Sequence, residues 1–312
     1  MSGGHHHSHG LGHSHSHGHL PSRRNFGRSF AIATLLNVVF MAAEIFYGFY
    51  ANSLALLADA GHNFSDVIGL VLAWGAFAIA NWRPNSRYTY RLHGASILAA
   101  LANGLILLAA TGAIAWEAIR RFSEPPDVAS GTVIVIAAIG VFINGISAYF
   151  LSHGRKEDLN MRGAFVHMIA DAAVSVAVIV AAFGIRLTGW QWFDPAASLL
   201  IAAVILYGTW DLLREAFRLT LNAAPSGIDP GAVQSYLEQC PQVRGVHDLH
   251  IWAMSTTATA MSAHIVVAEH PGNQFLHDVG HQLSHRFKIS HPTIQLELAD
   301  DHHCPVEHDH AA

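Results

Sequence analysis

His62 and Asp66 stand four residues apart within "LADAGHNFSDVIGLVLAW", and His167 and Asp171 repeat that spacing within "AFVHMIADAAVSVAVI". Residues four apart lie on one face of a helix, one turn above the other. Both stretches are otherwise apolar enough to cross a bilayer. An ionisable side chain there costs about 3 kcal/mol on insertion scales and persists mainly where it faces a bundle interior with a partner. A single His–Asp pair could be a helix–helix hydrogen bond that fixes packing; two copies at similar depth point to a shared ligand. If the two helices run antiparallel side by side, Asp66 comes level with His167 and His62 with Asp171, so four donor groups converge. Two neutral imidazoles and two carboxylates balance the charge of a divalent cation. Zinc accepts tetrahedral nitrogen and oxygen ligands at about 2.0–2.2 Å, with cobalt and cadmium as alternates. Magnesium and calcium prefer more ligands, all of them oxygen. Ligation needs neutral His and ionised Asp, so binding an ion releases protons, and imidazole is the side chain that titrates most readily near neutral pH.

Other polar residues sit in the same apolar surroundings. Asp59 lies toward the outer end of its segment and one turn from His62, which leaves open a role at the mouth or behind the ligands, or simple solvation. Asn37, Glu44, Asn103 and Asn144 default to helix packing, with Glu44 and Asn144 as candidates for lining an ion path.

The elements that must position these groups are helices in lipid. The 312 residues are 52% hydrophobic and only 12% charged, half the charge of an ordinary soluble domain. Six segments reach the length of about 20 mostly apolar residues that a spanning helix needs: roughly 29–51, 53–81, 94–119, 128–152, 161–186 and 193–219. The first two are joined only by the residues around "ANS", a tight antiparallel hairpin. With the N-terminus inside, the inner side carries Arg23, Arg24, Arg28, Arg83, Arg87, Arg91, Arg155, Lys156, Arg162, Arg214 and Arg218, and the outer side only Arg120, Arg121 and Arg186. That asymmetry puts both termini in the cytoplasm. The formal net charge of −5, with only two lysines (Lys156 and Lys288), excludes a basic face for nucleic acid. Cys240 and Cys304 are the only cysteines and suggest no disulfide framework.

The chain therefore divides into a His-rich cytoplasmic N-terminus (1–28), a six-helix transmembrane domain (29–220), a small cytoplasmic α/β domain (225–299) and a His-rich tail (300–312). In the third part "DPGAVQSYLEQC" reads as a helix with Asp229 as N-cap and Pro230 at the first helical position. "VRGVHDLHIWAM" and "TATAMSAHIVVA" read as two strands, "NQFLHDVGHQLSHRF" as a helix and "TIQLEL" as a closing strand. The order α-β-β-α-β suggests a two-layer sandwich with the helices on one face of the sheet. Eight histidines fall between 247 and 291, among them His247, His250 and His264 on strands, His291 just ahead of the last strand, and His277, His281 and His285 along one helix face, a solvated stripe or a ligand set. The terminal tracts cannot bury a core and read as disordered. The N-terminal one reads as a native zinc-concentrating segment rather than an affinity tag, because Ser and Gly interrupt its histidines.

At these residues the chain resembles the cation diffusion facilitator family, particularly its zinc-transporting, cobalt-zinc-cadmium resistance branch. "LADAGHNFSD", "HMIADAAVSV", "DPAASLLIAAVIL", "HDLHIW" and "TIQLEL" each look like a family motif, in family order. The resemblance implies that His62, Asp66, His167 and Asp171 hold the transported ion, with His at both sites as in zinc carriers. It also implies a homodimer in a cell (inner) membrane, each protomer exchanging metal for protons by alternating access. Its cytoplasmic domain would be ferredoxin- or metallochaperone-like, joining the protomers and holding regulatory zinc on His247, His264, Glu297 and His291, with Cys304 as an extra ligand. The chain departs from the family in "RYTYRLHGASIL", where Arg91, Gly94 and Ser96 replace a Gly, a basic residue and an acid. The likeness therefore does not extend to a charge interlock or an accessory metal site in that loop, where His93 stands alone. Two rival readings stand beside this one, the first using the same ligands and the second the cytoplasmic histidines. A membrane metalloenzyme lacks a general base and an open ligand position, and a membrane-anchored zinc sensor leaves the buried pairs unexplained.

Overall fold

The computed structural model describes residues 38–80, 86–152 and 159–299, with side chains throughout except at 151 and 159–164. The N-terminal His tract, residues 29–37 of the first expected span with Asn37, the cations Arg23, Arg24, Arg28, Arg83, Arg155 and Lys156, and the tail with Cys304 lie outside the described residues, as does the side chain of Arg162. Among the described residues, five helices are long and apolar enough to cross a membrane: α2 (Leu54–Ala80), α3 (Ala95–Ser123), α4 (Ser130–Ser152), α5 (Leu159–Thr188) and α6 (Phe193–Thr220). The shorter apolar helix α1 (Val38–Tyr50) precedes them.

The bundle is turned inside out relative to a soluble protein. Trp74, Phe142, Leu212 and Tyr207 stand exposed on its outside, while Glu44, Asp59, Asn144, Asp171, Ser175, Asp194 and Ser198 are buried within it. Apolar surface costs nothing against lipid, whereas a polar group must find its partners inside the protein. The α1–α2 turn closes on Asn52, which takes a left-handed φ of 53°, a conformation Asn tolerates better than most side chains. The amides of Ala51 and Ser53 then return to the carbonyls of Tyr47 and Gly48 at 2.8 and 3.0 Å. Helix α4 packs along α5, and α3 along α6 and α2. At Gly140 on α4 an added Cβ would lie 2.8 Å from Phe40 Cζ on α1 and 3.0 Å from Ser175 Oγ on α5, so only glycine lets the three helices meet there.

After α6 the chain forms α7 (Pro230–Glu238), β1 (Val243–Ala253), β2 (Thr259–Val267), α8 (Gly272–Phe287) and β3 (His291–Leu298). Asp229 caps α7 by accepting from the Gly231 amide at 2.9 Å. The sheet order is β1-β2-β3, with β1 antiparallel and β3 parallel to β2. Met261, Ala263, Ile265 and Val267 of β2 pack with Val233 and Leu237 of α7 and Val279 and Leu283 of α8. The alternate residues, His264 among them, therefore point to the face away from the helices. β3 begins at His291 rather than at Thr293, so His291 is the strand's first residue and not a loop residue ahead of it.

Candidate metal centre

Helices α2 and α5 bring His62, Asp66, His167 and Asp171 to one place. His167 Nε2 lies 3.1 Å from Asp66 Oδ2, and His62 Nε2 lies 3.5 Å from Asp171 Oδ1. The pairs one turn apart on each helix are 3.7 Å (His62–Asp66) and 3.5 Å (His167–Asp171). His62, Asp66 and His167 each offer a ligand atom within 4.8 Å of the other two. Asp171 completes the ring through both imidazoles. Asp66 Oδ2 and His62 Nδ1 are buried without a well-formed hydrogen bond, although His167 Nε2 approaches Asp66 Oδ2. Donor atoms crowded this closely, yet poorly angled for hydrogen bonding to each other, suit a cation between them.

Exposure falls along the bundle. The side chains of His167 and Asp66 are 41% and 36% exposed, His62 17% and Asp171 3%. Asp59 and Glu44, nearer the Asn52 turn, are fully buried. The accessible half of the cluster thus faces the end of the bundle from which the C-terminal domain continues. Asp59 is not solvated: Ser175 Oγ donates to its Oδ2 at 2.8 Å, one turn beyond Asp171. On α1, Glu44 Oε2 accepts from Asn63 Nδ2 at 3.0 Å. Asn103 serves packing, accepting from Ser65 Oγ at 3.4 Å beside Gly69.

One residue that braces the site entered the sequence reading only as the first of "DPAASLLIAAVIL". Asp194, at the start of α6, accepts from Ser53 Oγ at 2.6 Å, the Leu54 amide at 2.8 Å and the Ala55 amide at 3.3 Å. It caps α2 from another helix, using a carboxylate against the positive end of the helix dipole. Arg121 Nη1 stands 3.9 Å from it and donates to the Asn52 carbonyl at 2.6 Å. This clamp sets where α2 begins and hence the height of His62 and Asp66.

The cytoplasmic domain holds a second cluster on the open face of its sheet. His247 Nε2 is 2.9 Å from Glu297 Oε2, and His264 Nδ1 is 2.7 Å from Glu297 Oε1. These three residues meet the same ligand-distance condition. His247 pairs with His264 across β1 and β2, and an irregularity follows between His247 and His250, with Asp248 at φ 50°. The bulge turns Asp248 toward His264 Nε2, 3.8 Å away, while His250 Nε2 sits 2.8 Å from Asp248 Oδ1. His291 does not join them. It pairs with Ala260, four positions along β2 from His264, and its ring stands 5.5 Å from that of Tyr90. Where a family-like acid is missing, Ser96 at the start of α3 accepts through its Oγ from the Thr256 amide at 3.1 Å, a neutral tie between the bundle and the β1–β2 turn. His281 and His285 stack at 5.6 Å on α8.

An α-helical bundle with a cation-sized polar seat, continued by a small α/β domain, defines a multi-pass integral membrane protein built to pass an ion. The chain belongs to the cation efflux family: residues 30–219 match the family's transmembrane domain and residues 225–299 its cytoplasmic domain. It is a transporter, not an enzyme. It is 37% identical over 274 residues to the metal cation efflux system protein CzcD of Cupriavidus metallidurans, covering 87% of each chain. It is 36% identical over 278 residues to a cadmium, cobalt and zinc/H(+)-K(+) antiporter of Bacillus subtilis, covering 87% of this chain and 89% of that one. The zinc transporter ZitB of Escherichia coli is 36% identical over 301 residues, 96% of this chain and 94% of its own. The solved metal-bound C-terminal domain of the CzcD transporter is 34% identical and covers 23% of this chain and all of its own, with a TM-score of 0.22.

Proposed function

We propose that this protein exports divalent metal, zinc first and cobalt or cadmium as alternates, from the cytoplasm across a cell (inner) membrane in exchange for protons. The ion sits between His62, Asp66, His167 and Asp171. The observation that carries this reading is the convergence of those four side chains from two helices, with Asp66 Oδ2 and His62 Nδ1 buried and lacking well-formed hydrogen bonds. Names of the similar proteins support the choice of metals. The greater exposure of Asp66 and His167 supports a conformation that loads from the cytoplasmic side, with both termini there. An ion that needs neutral imidazoles competes with protons for the same atoms, so metal one way and protons the other closes the cycle. Two copies join through the cytoplasmic domain of residues 225–299. There His247, His264 and Glu297 would hold a regulatory ion, which neutralises Glu297 and locks β3 to the β1–β2 pair.

The test is zinc flux into proteoliposomes under an imposed pH gradient, with cobalt and cadmium run in parallel. Asp66→Ala and Asp171→Ala each lose the flux, because either change leaves the ion under-coordinated and incompletely neutralised. Full flux in either variant overturns the site.

A further inference from the structure

Beyond the ion seat, toward the Asn52 turn, lies a pair of acids that the four-ligand reading does not use. Glu44 of α1 and Asp59 of α2 sit eight residues before and seven after Asn52, at matching depth in the hairpin, and both are fully buried. Each has one oxygen served: Asn63 Nδ2 donates to Glu44 Oε2 at 3.0 Å, and Ser175 Oγ donates to Asp59 Oδ2 at 2.8 Å. The other oxygens, Glu44 Oε1 and Asp59 Oδ1, are buried and receive nothing from any described group. The two carboxyls are within hydrogen-bonding reach of one another.

Two ionised carboxylates cannot satisfy each other. Both are pure acceptors, and like charges side by side in a fully buried site cannot both persist. A single proton between them answers both faults at once. It supplies the donor that the two orphaned oxygens lack, in a charge-assisted O–H···O bond of the short, strong class. No lysine or arginine within the bundle is described as pairing with either acid. The charged or titratable groups that act on the pair are His62 on α2 and Asp171 on α5. A dication arriving among the four ligands repels a proton held nearby, and its departure draws the proton back.

We propose that Glu44 and Asp59 hold one shared proton, in a seat separate from the four ion-binding side chains, and that this proton takes part in the counterflow. Asn63 ties the pair to α2 and Ser175 ties it to α5, so its protonation is communicated to both helices that carry the ion. The role in counterflow rests on the transport reading above; the seat itself does not.

Infrared spectroscopy of the purified full-length protein, without added metal, tests the seat directly. At neutral pH the wild type shows a protonated-carboxyl carbonyl stretch that shifts in D2O. Glu44→Gln and Asp59→Asn each lose it, because the new amide N–H provides the missing donor permanently and the remaining acid stays ionised. These near-isosteric changes keep the packing, and retained zinc binding by calorimetry checks that the ion seat survives. A wild type without the band, or both variants retaining it at full intensity, overturns the seat. In proteoliposomes Glu44→Gln then shows zinc flux whose response to the pH gradient is reduced relative to wild type; an unchanged response overturns the part in counterflow. Loss of zinc binding in His62→Ala with the infrared band intact shows that seat and ion site are separable. Failure of that variant to lose binding counts against the ion site alone.

Discussion

Asp194→Ala removes the outer clamp on α2. The substitution leaves Ser53 Oγ, the Leu54 amide and the Ala55 amide without their acceptor in a region that is fully buried at Ser53 and Ala55. A buried donor deprived of its partner costs about 1–3 kcal/mol. The three belong to one network and do not add in full, so the expected destabilisation is about 3–5 kcal/mol. Asp194→Asn keeps one acceptor oxygen and forfeits mainly the charge that faces the helix dipole and Arg121, at about 1 kcal/mol. Thermal unfolding in detergent micelles reads the difference: Asp194→Ala should lower Tm by on the order of 10 °C, and Asp194→Asn by only a few degrees. Because the clamp sets the start of α2, the alanine variant should also bind zinc more weakly at the bundle site. An alanine variant that melts within about 2 °C of wild type would refute the capping argument.

Gly140→Ala presses a methyl group against Phe40 Cζ and Ser175 Oγ. It should cost about 1–3 kcal/mol by overpacking, read as a lower Tm, and a neutral result would show that α4 can step aside. His264→Ala should remove one zinc per chain in equilibrium dialysis of the full-length protein while leaving the bundle site filled; unchanged stoichiometry would dismiss the cytoplasmic cluster as a metal site. Burial pushes the Cys240 thiol above its ordinary range, partly opposed by a hydrogen bond with the Tyr236 side chain. Less thiolate is then present near neutral pH, so in a Cys304→Ser background Cys240 should alkylate more slowly than a free thiol and accelerate only under alkaline conditions. Labelling as fast as the free thiol at neutral pH would contradict that environment.

The convergence of His62, Asp66, His167 and Asp171 was legible because it is encoded locally. Four-residue spacing assigns His62 and Asp66 to one helix face, and counting spans makes α2 and α5 antiparallel, which matches the depth of each His to the other helix's Asp. The alternation in "TAMSAHIVV" likewise separates His264 from the core residues of β2. What escaped depends on partners far along the chain. Asp59 looks as able to face solvent as protein until Ser175, 116 residues away, is placed against it. Asp194 resembles any acid at a helix start, and its partner amide at Leu54 is 140 residues away. The strand-like run "TIQLEL" begins two residues after His291, because Pro292 interrupts the β-branched pattern, yet the strand extends back to His291. β3 is an edge strand, where a residue without an N–H is tolerated, and His291 consequently reaches Tyr90 rather than Glu297.

The three-stranded sheet acts as a partition. Everything that makes the domain fold, from Met261 to Leu283, lies on one side of it, and His247, His264 and Glu297 lie on the other. On the proposed reading, an ion held there stays outside the domain's interior, and its loss leaves no void behind. The domain can stay folded with that face filled or empty.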